Sequence, residues 1–94
     1  MNGGKSYTFK IITPEILFYE GEIVSAILPG EVGYLGVLAN HAPLVTTCVP
    51  GKLYFRDAAG REYRFEIQEG FLEVLENKVT LLTEKISETQ EVHE

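Results

Sequence analysis

The chain has 94 residues, and 45% of them are hydrophobic, which suits one domain built around a single core. Its formal net charge of -6 argues against nucleic acid or an anionic membrane surface as a direct partner, because both are negatively charged. A single cysteine, Cys48, excludes an intrachain disulfide and a metal-thiolate cluster. The opening residues MNGGKSYTFK lack the apolar core of a signal peptide, so we expect a reducing, cytoplasm-like compartment.

Alternation of apolar and polar residues predicts strands over most of the chain, and helical periodicity is nearly absent. The first strand places Tyr7, Phe9 and Ile11 on one face, and Pro14 ends it. Two more extended runs lie on either side of Gly21. Pro-Gly turn signals separate the strands predicted after it, which cover residues 34–38 and 43–49.

A hairpin is predicted at residues 52–66, and its register follows from the pattern of charges and apolar residues. A three-residue loop that ends on a left-handed Gly60 makes every inward pair apolar. A slip of one residue would set Phe55 against Glu62 and invert the faces of one strand. The predicted pairs are Lys52–Glu66, Leu53–Phe65, Tyr54–Arg64, Phe55–Tyr63, Arg56–Glu62 and Asp57–Arg61.

A second hairpin is predicted around a two-residue turn at Glu76 and Asn77. Asparagine tolerates a positive φ, but glutamate does so less well, so the pattern leaves the turn type open. The predicted pairs on its inward face are Val74–Val79 and Leu72–Leu81. After Glu84 the sequence becomes polar and predicts a frayed tail or one weak helical turn.

These short strands, with turn signals every 8–12 residues, predict an all-β fold, an antiparallel β-sandwich of about ten short strands. Antiparallel pairing is expected because no long segment is available as a parallel crossover. We expect residues 1–86 to form the β-sandwich domain and residues 87–94 to form a polar C-terminal tail.

No motif for catalysis, for a metal or for nucleotide binding stands out, and we expect no cofactor. Gly30, Gly33 and Gly36 precede a strand, whereas a phosphate loop opens onto a helix. His41 and His93 are too few for a zinc site. A catalytic His41 would need a nucleophile and an orienting carboxylate, so a structural histidine in a turn is favoured. Convergence of His41, Glu31 and Tyr34 on a pocket remains an alternative.

Three segments carry a resemblance to a known family: LPGEVGYLGVLANHAPLVT, PGKLYFRD and EGFLEVLENKVTLL. In this order and spacing the chain resembles, from about residue 7 to residue 84, the N-terminal β-sandwich domain of the epsilon subunit of F-type ATP synthases. The resemblance implies a non-catalytic subunit of the central stalk, which couples proton-driven rotation of the membrane ring to ATP synthesis. It also implies a peripheral location on the cytoplasmic face of a bacterial inner membrane, or the equivalent face of a plastid thylakoid membrane.

The same resemblance implies two contacts with partner subunits. The positions matching the family's gamma-subunit interface are Thr13, His41 and Thr46, and those matching the loop that faces the c-ring are Glu31, Val32 and Tyr34. The family commonly carries an acidic or other polar residue at the position of Tyr34. Its usual Pro-Gly before the histidine is Ala39-Asn40 here, and we expect a left-handed Asn40 to keep the bend.

Most members of that family continue into a C-terminal helical hairpin, which inhibits ATP hydrolysis and in some members binds ATP. Nothing after Glu84 could form such a hairpin. If this is the full chain, the resemblance implies coupling without hairpin-based inhibition or its nucleotide site; if the chain is cut from a longer one, its natural tail is unknown. The initial methionine and the charged ending favour a naturally short chain. The alternative function is a small β-sandwich ligand-binding or protein-interaction module of another assembly.

Overall fold

The computed structural model describes residues 5–89, which form β-strands joined by short turns. No helix occurs in this part of the chain. The strands are β1 (Tyr7–Ile12), β2 (Leu17–Gly30), β3 (Gly33–Leu38), β4 (Leu44–Cys48), β5 (Gly51–Asp57), β6 (Glu62–Ile67), β7 (Gly70–Leu75), β8 (Lys78–Thr83) and β9 (Ile86–Glu88).

The strands form two layers that share one long strand, and the predicted all-β sandwich is confirmed. One layer contains β1, β8, β7 and β4, and the other contains β3, β5, β6 and β9. β2 has 14 residues and pairs with β1 along its first half and with β3 along its second. The described residues form nine strands rather than about ten, because the two runs that flank Gly21 are one continuous strand.

The expectation of wholly antiparallel pairing was wrong at one place, since β1 and β8 are parallel. Their register runs from Thr8 opposite Lys78 to Ile12 opposite Leu82. A parallel pair needs a long connection between its strands. We expected none because no single segment of the sequence is long enough to serve only as a crossover. Here β2 to β7 lie between the two strands, so the body of the fold itself is the connection.

Both predicted hairpin registers are confirmed. The β5–β6 pairs run from Lys52–Glu66 to Arg56–Glu62 as predicted, and Gly60 has a φ of 95°. The β7–β8 pairs include Val74–Val79 and Leu72–Leu81. Glu76 and Asn77 have φ values of 51° and 61°, which is the pattern of a type I′ turn. This settles the turn type that the sequence left open.

The core lies between the two layers and is built from the inward positions of each strand. Phe9 packs edge-to-face on Phe55 with ring centroids 5.1 Å apart, and Phe55 stacks on Tyr63 at 4.6 Å. The Tyr7 hydroxyl donates a hydrogen bond of 2.6 Å to the Val37 carbonyl, which links β1 to β3 inside the core. The fully buried side chains are Phe9, Phe55, Ile11, Ile23, Leu28, Leu53, Ile67, Leu72, Leu81, Val37 and Val79.

The segment after Glu84 forms strand β9, so the expectation of a frayed tail or a helical turn was wrong for residues 86–88. β9 pairs antiparallel with β6, with Ile86 opposite Ile67. Ile86 is half-buried against the core cluster, a contact that needs only one apolar residue and so leaves little periodicity in the sequence. The predicted tail residues 90–94, which include His93, lie outside the described residues.

Replacement of Gly70 by alanine tests a close approach between backbones in the sandwich. Gly70 pairs with Cys48 on β4 and Thr83 on β8, and a Cβ at this position would overlap the Leu82 carbonyl oxygen. Because that oxygen belongs to the backbone, the strands must shift, and we expect a loss of about 1–3 kcal/mol in the free energy of unfolding. Urea unfolding measures it.

Gly36→Ala is the matched control, because Gly36 also lies in a strand and a Cβ there would meet no atom within 4 Å. We expect a change within about 0.5 kcal/mol for this variant. Equal midpoints of urea unfolding for the two variants would contradict the packing argument.

We expect the protein to lose stability at alkaline pH, because Tyr19 packs in the aromatic core as a neutral phenol. Burial, aided by the charges of Tyr63 and Asp57, raises the pKa of Tyr19 to about 12, whereas an unfolded tyrosine titrates near pH ~10. The stabilisation by the neutral phenol is therefore fully present below about pH 10 and is lost as the pH rises towards 12. Urea unfolding across this range should show a smaller decline for Tyr19→Phe than for the parent chain, and identical declines would contradict the assignment.

Candidate functional site

The β2–β3 hairpin projects from one end of the sandwich and carries three of the residues singled out in the sequence. Gly30 pairs with Gly33, so Glu31 and Val32 form the tip and Tyr34 follows on β3. Val32 has a relative exposure of 102%, the value of a side chain with no covering neighbour. Gly33 has a φ of 129°, a conformation open to glycine and strained for other residues. The tip is therefore fully accessible to a partner.

Contacts with the segment around β4 and β5 brace this hairpin. The Thr47 hydroxyl donates to the Glu31 carboxylate at 2.7 Å. The Lys52 backbone N–H donates to the Tyr34 hydroxyl at 3.2 Å. The Val49 N–H donates to the Pro29 carbonyl at 2.9 Å. The exposed tip thus stands on a base that is fixed at three points.

His41 lies in the β3–β4 loop, directly after a tight turn. The His41 N–H donates to the Leu38 carbonyl at 3.2 Å, and Asn40 has a φ of 65°. The expectation of a left-handed Asn40 is confirmed. The imidazole Nδ1 lies 2.7 Å from the Ala42 carbonyl, and because a carbonyl can only accept, Nδ1 carries the hydrogen. Among residues 5–89 no carboxylate forms a hydrogen bond with this ring.

Thr46 and Thr13 lie in different parts of the same layer. Thr46 is half-buried in β4 opposite the buried Leu72. The Thr13 hydroxyl accepts from the backbone N–H groups of Glu15 and Ile16 and so orders the turn before β2. His41 lies near the β7–β8 turn and Thr13 lies at the other end of β8, so the two are roughly 20 Å apart for a strand of this length.

A row of exposed and half-buried apolar side chains crosses the outer face of this layer, and the sequence analysis missed it. Phe71 is opposite Leu82, Leu82 is opposite Ile12, and Ile12 is opposite Leu17. Phe71 and Leu82 keep relative exposures of 44% and 45%. The sequence did contain a sign of this row, because these apolar residues occupy positions that the alternation of inward and outward residues assigns to the outer face. Only the nonlocal β1–β8 pairing brings them into one row.

A shallow groove of about 600 Å³ runs beside this apolar row. It connects Thr13 with the end of β4, since its lining includes Thr13, Thr47, Cys48, Phe71 and Leu82. The groove therefore lies at the end of this layer that is opposite the His41 loop.

The alternative of a pocket that joins His41, Glu31 and Tyr34 does not match the geometry. Glu31 is bonded to Thr47 at the end of β4 that lies opposite Phe71, whereas His41 precedes the other end. Within residues 5–89 no three His, Cys, Asp or Glu side chains lie close enough to share a metal ion. The same part of the chain contains no helix with the length and apolarity to cross a bilayer.

Comparison with protein families and with curated proteins gives consistent matches. The family model described as ATP synthase, Delta/Epsilon chain, beta-sandwich domain matches residues 6–89. An ATP synthase epsilon chain of Chlorobaculum tepidum is 45% identical over 83 residues, which are 88% of this chain and 94% of that protein. The epsilon chain of Chlorobium limicola is 40% identical with the same coverage. That of Desulfosudis oleivorans is 31% identical, and the match covers 62% of its length.

Solved structures give the same fold at lower identity. A chain in the Euglena gracilis mitochondrial ATP synthase, OSCP/F1/c-ring in rotational state 1, matches with a TM-score of 0.83 and 20% identity, over 88% of this chain and 53% of that one. A chain in the central stalk and c-ring of the Tetrahymena thermophila mitochondrial ATP synthase matches with a TM-score of 0.74 and 14% identity, over 86% and 65%. These likenesses concern the fold alone.

Tyr34→Phe tests the bracing of the exposed hairpin. The variant keeps the ring but removes the acceptor for the Lys52 N–H, so we expect a loss of about 0.5–1 kcal/mol in local stability. Hydrogen exchange at the Lys52 amide should become faster. Tyr54→Phe is the control, because Tyr54 contributes its ring, 5.2 Å from the Arg64 guanidinium carbon. Unchanged exchange at Lys52 in Tyr34→Phe would contradict the bracing.

Proposed function

Because the chain belongs to the ATP synthase delta/epsilon family, whose β-sandwich domain model matches residues 6–89, we propose that it is the epsilon subunit of the central stalk of an F-type ATP synthase. In this role it couples proton-driven rotation of the membrane ring to ATP synthesis by binding the gamma subunit and the c-ring. It has no catalytic residue of its own and needs no cofactor. It is peripheral to the membrane, on the cytoplasmic face of a bacterial inner membrane or the equivalent face of a plastid thylakoid membrane.

The observation that supports this proposal most directly is that the β2–β3 hairpin tip and the His41 loop are two accessible surfaces at opposite ends of one rigid domain. The hairpin tip at Glu31 and Val32 lies at one end of the sandwich, and the His41 loop lies at the other. A subunit placed between a ring and a stalk needs contacts in two directions. It also needs the contact loops fixed before docking, since fixing them later lowers affinity.

The contact with the c-ring is assigned to Glu31, Val32 and Tyr34. Val32 is uncovered, and the Glu31 carboxylate is exposed at the tip beside the Thr47 hydroxyl. The Tyr34 hydroxyl already accepts a bond from the Lys52 N–H. Glu31 and Val32 therefore provide the direct contact, while Tyr34 supports the tip and offers the exposed part of its ring.

The contact with gamma is assigned to Thr13, His41 and Thr46, along the layer that contains β4. The exposed apolar row beside the groove supports this assignment, because a partner that covers such side chains removes apolar area from water. Val45 is the second residue of β4 and has a relative exposure of 59%. Thr46 points the other way and is half-buried, so it contributes at the margin of the interface.

Val45→Lys tests the gamma contact. A lysine at this exposed position places an unpaired charge in the proposed interface without disturbing the core, whereas a charge at half-buried Thr46 would mix folding with binding. We expect the affinity for the purified gamma subunit of the same complex to fall by about tenfold or more, which corresponds to about 1.4 kcal/mol. Titration calorimetry measures it.

Ile27→Lys is the matched control for this titration, because Ile27 is also an exposed strand residue but lies on the outer face of the other layer. It should bind gamma as the parent does. Loss of binding in Ile27→Lys with normal binding in Val45→Lys would move the interface to that layer. Absence of gamma binding by the parent chain would favour a module of another assembly.

A further inference from the structure

Two asparagines join the His41 loop to the turn between β7 and β8. The Asn40 backbone N–H donates to the Asn77 side-chain oxygen at 2.7 Å. The Asn77 side-chain amide donates to the Asn40 side-chain oxygen at 3.2 Å. One side-chain amide thus makes two bonds to a residue 37 positions away. We name this pair, Asn40 and Asn77, the asparagine clasp.

Both residues of the asparagine clasp have left-handed backbones, with φ values of 65° and 61°. Asn40 is the third residue of the turn that the His41 N–H closes on the Leu38 carbonyl. Glycine would satisfy the backbone at either position, but it has no side chain that could bond across the gap. The asparagines therefore combine a turn conformation with a tertiary hydrogen bond.

The turn at Asn77 is itself attached to the rigid part of the sandwich. The Thr8 N–H at the start of β1 donates to the Asn77 carbonyl at 3.1 Å. The strand that follows this turn is fixed by Val79, which is buried between the layers. The loop that contains His41 is thereby tied to β1 and β8, which do not pair with either of the strands that flank it.

We propose that the asparagine clasp positions the His41 loop for docking onto the gamma subunit, an inference that rests on the proposed function. His41 directly follows Asn40, so the turn that the clasp fixes sets where the imidazole lies. A loop that is ordered before binding loses less conformational entropy on docking. Asn40 and Asn77 are thus positioning residues that act through His41 and need not touch gamma.

The bond pattern predicts an order of effects among variants. Asn77→Gly keeps the turn but removes both bonds of the clasp. Asn40→Gly removes one, because its backbone N–H still reaches the Asn77 oxygen. We expect gamma affinity to fall about tenfold in Asn77→Gly and about threefold in Asn40→Gly, at about a factor of three for each bond. The double variant should bind no more weakly than Asn77→Gly.

Glu76→Gly is the matched control, because Glu76 is the other left-handed residue of the same turn and its side chain takes no part in the clasp. This variant should bind gamma as the parent does. Asn77→Asp should restore most of the affinity, because its carboxylate accepts the Asn40 N–H and the Asn40 amide can rotate to donate to it.

Binding should be measured with the full chain by titration calorimetry at a temperature well below that of unfolding. At such a temperature a variant that is only less stable is still folded, so its affinity for gamma is unchanged. Hydrogen exchange at the Asn40 amide reports directly on the clasp and should become about tenfold faster in Asn77→Gly. Weaker binding in Asn77→Gly, with rescue by Asn77→Asp, supports the inference.

Two results would overturn it in different ways. In the first, Asn77→Gly exchanges its Asn40 amide faster but binds gamma as the parent does, while Val45→Lys binds more weakly. This result would leave the proposed function intact and remove the positioning role of the clasp. Unchanged affinity in both Asn77→Gly and Val45→Lys would instead count against the gamma interface itself.

Discussion

The structure depends on the continuity of β2. This strand pairs with β1, β3, β4 and β5, and its inward side chains Ile23, Ala26 and Leu28 are buried between the layers. Its end is the base of the exposed hairpin. A load applied at the tip therefore passes along a single backbone into both layers. Two separate sheets joined only by loops could move relative to each other at those loops. In this small domain the strand that both layers share prevents such a movement.

The surfaces proposed for partners include strand positions at which an outward side chain is apolar. Along β5 and β6 most outward positions are charged, as in the pairs Lys52–Glu66 and Arg56–Glu62. The outward positions at Phe71 and Leu82 are apolar instead, and Val32 stands alone at a tip. Such exposure costs solubility unless a partner covers it, which fits a chain that acts inside an assembly.

Local features of the fold could be predicted from the sequence, and nonlocal ones could not. The pairing of Phe55 with Tyr63 was forced by neighbouring residues, because any slip would bury a charge. The parallel β1–β8 pair and strand β9 depend on segments far apart in sequence, where alternation gives no register. The same limit applies to the site. A turn signal was recognised at Pro29-Gly30, although the turn itself lies one step later at Glu31 and Val32. The left-handed Asn40 was expected, but the inward side of Thr46 was not.

Tyr34 and Asn40 have a common physical consequence. The Tyr34 hydroxyl accepts the Lys52 N–H. The Asn40 side-chain oxygen accepts from the Asn77 side-chain amide. Each side chain adds a bond between its own segment and a separate segment, one at each end of the sandwich. Since both segments are proposed contact surfaces, these bonds stiffen the parts that would transmit force, and the strands between them need no such additions because the core already fixes them.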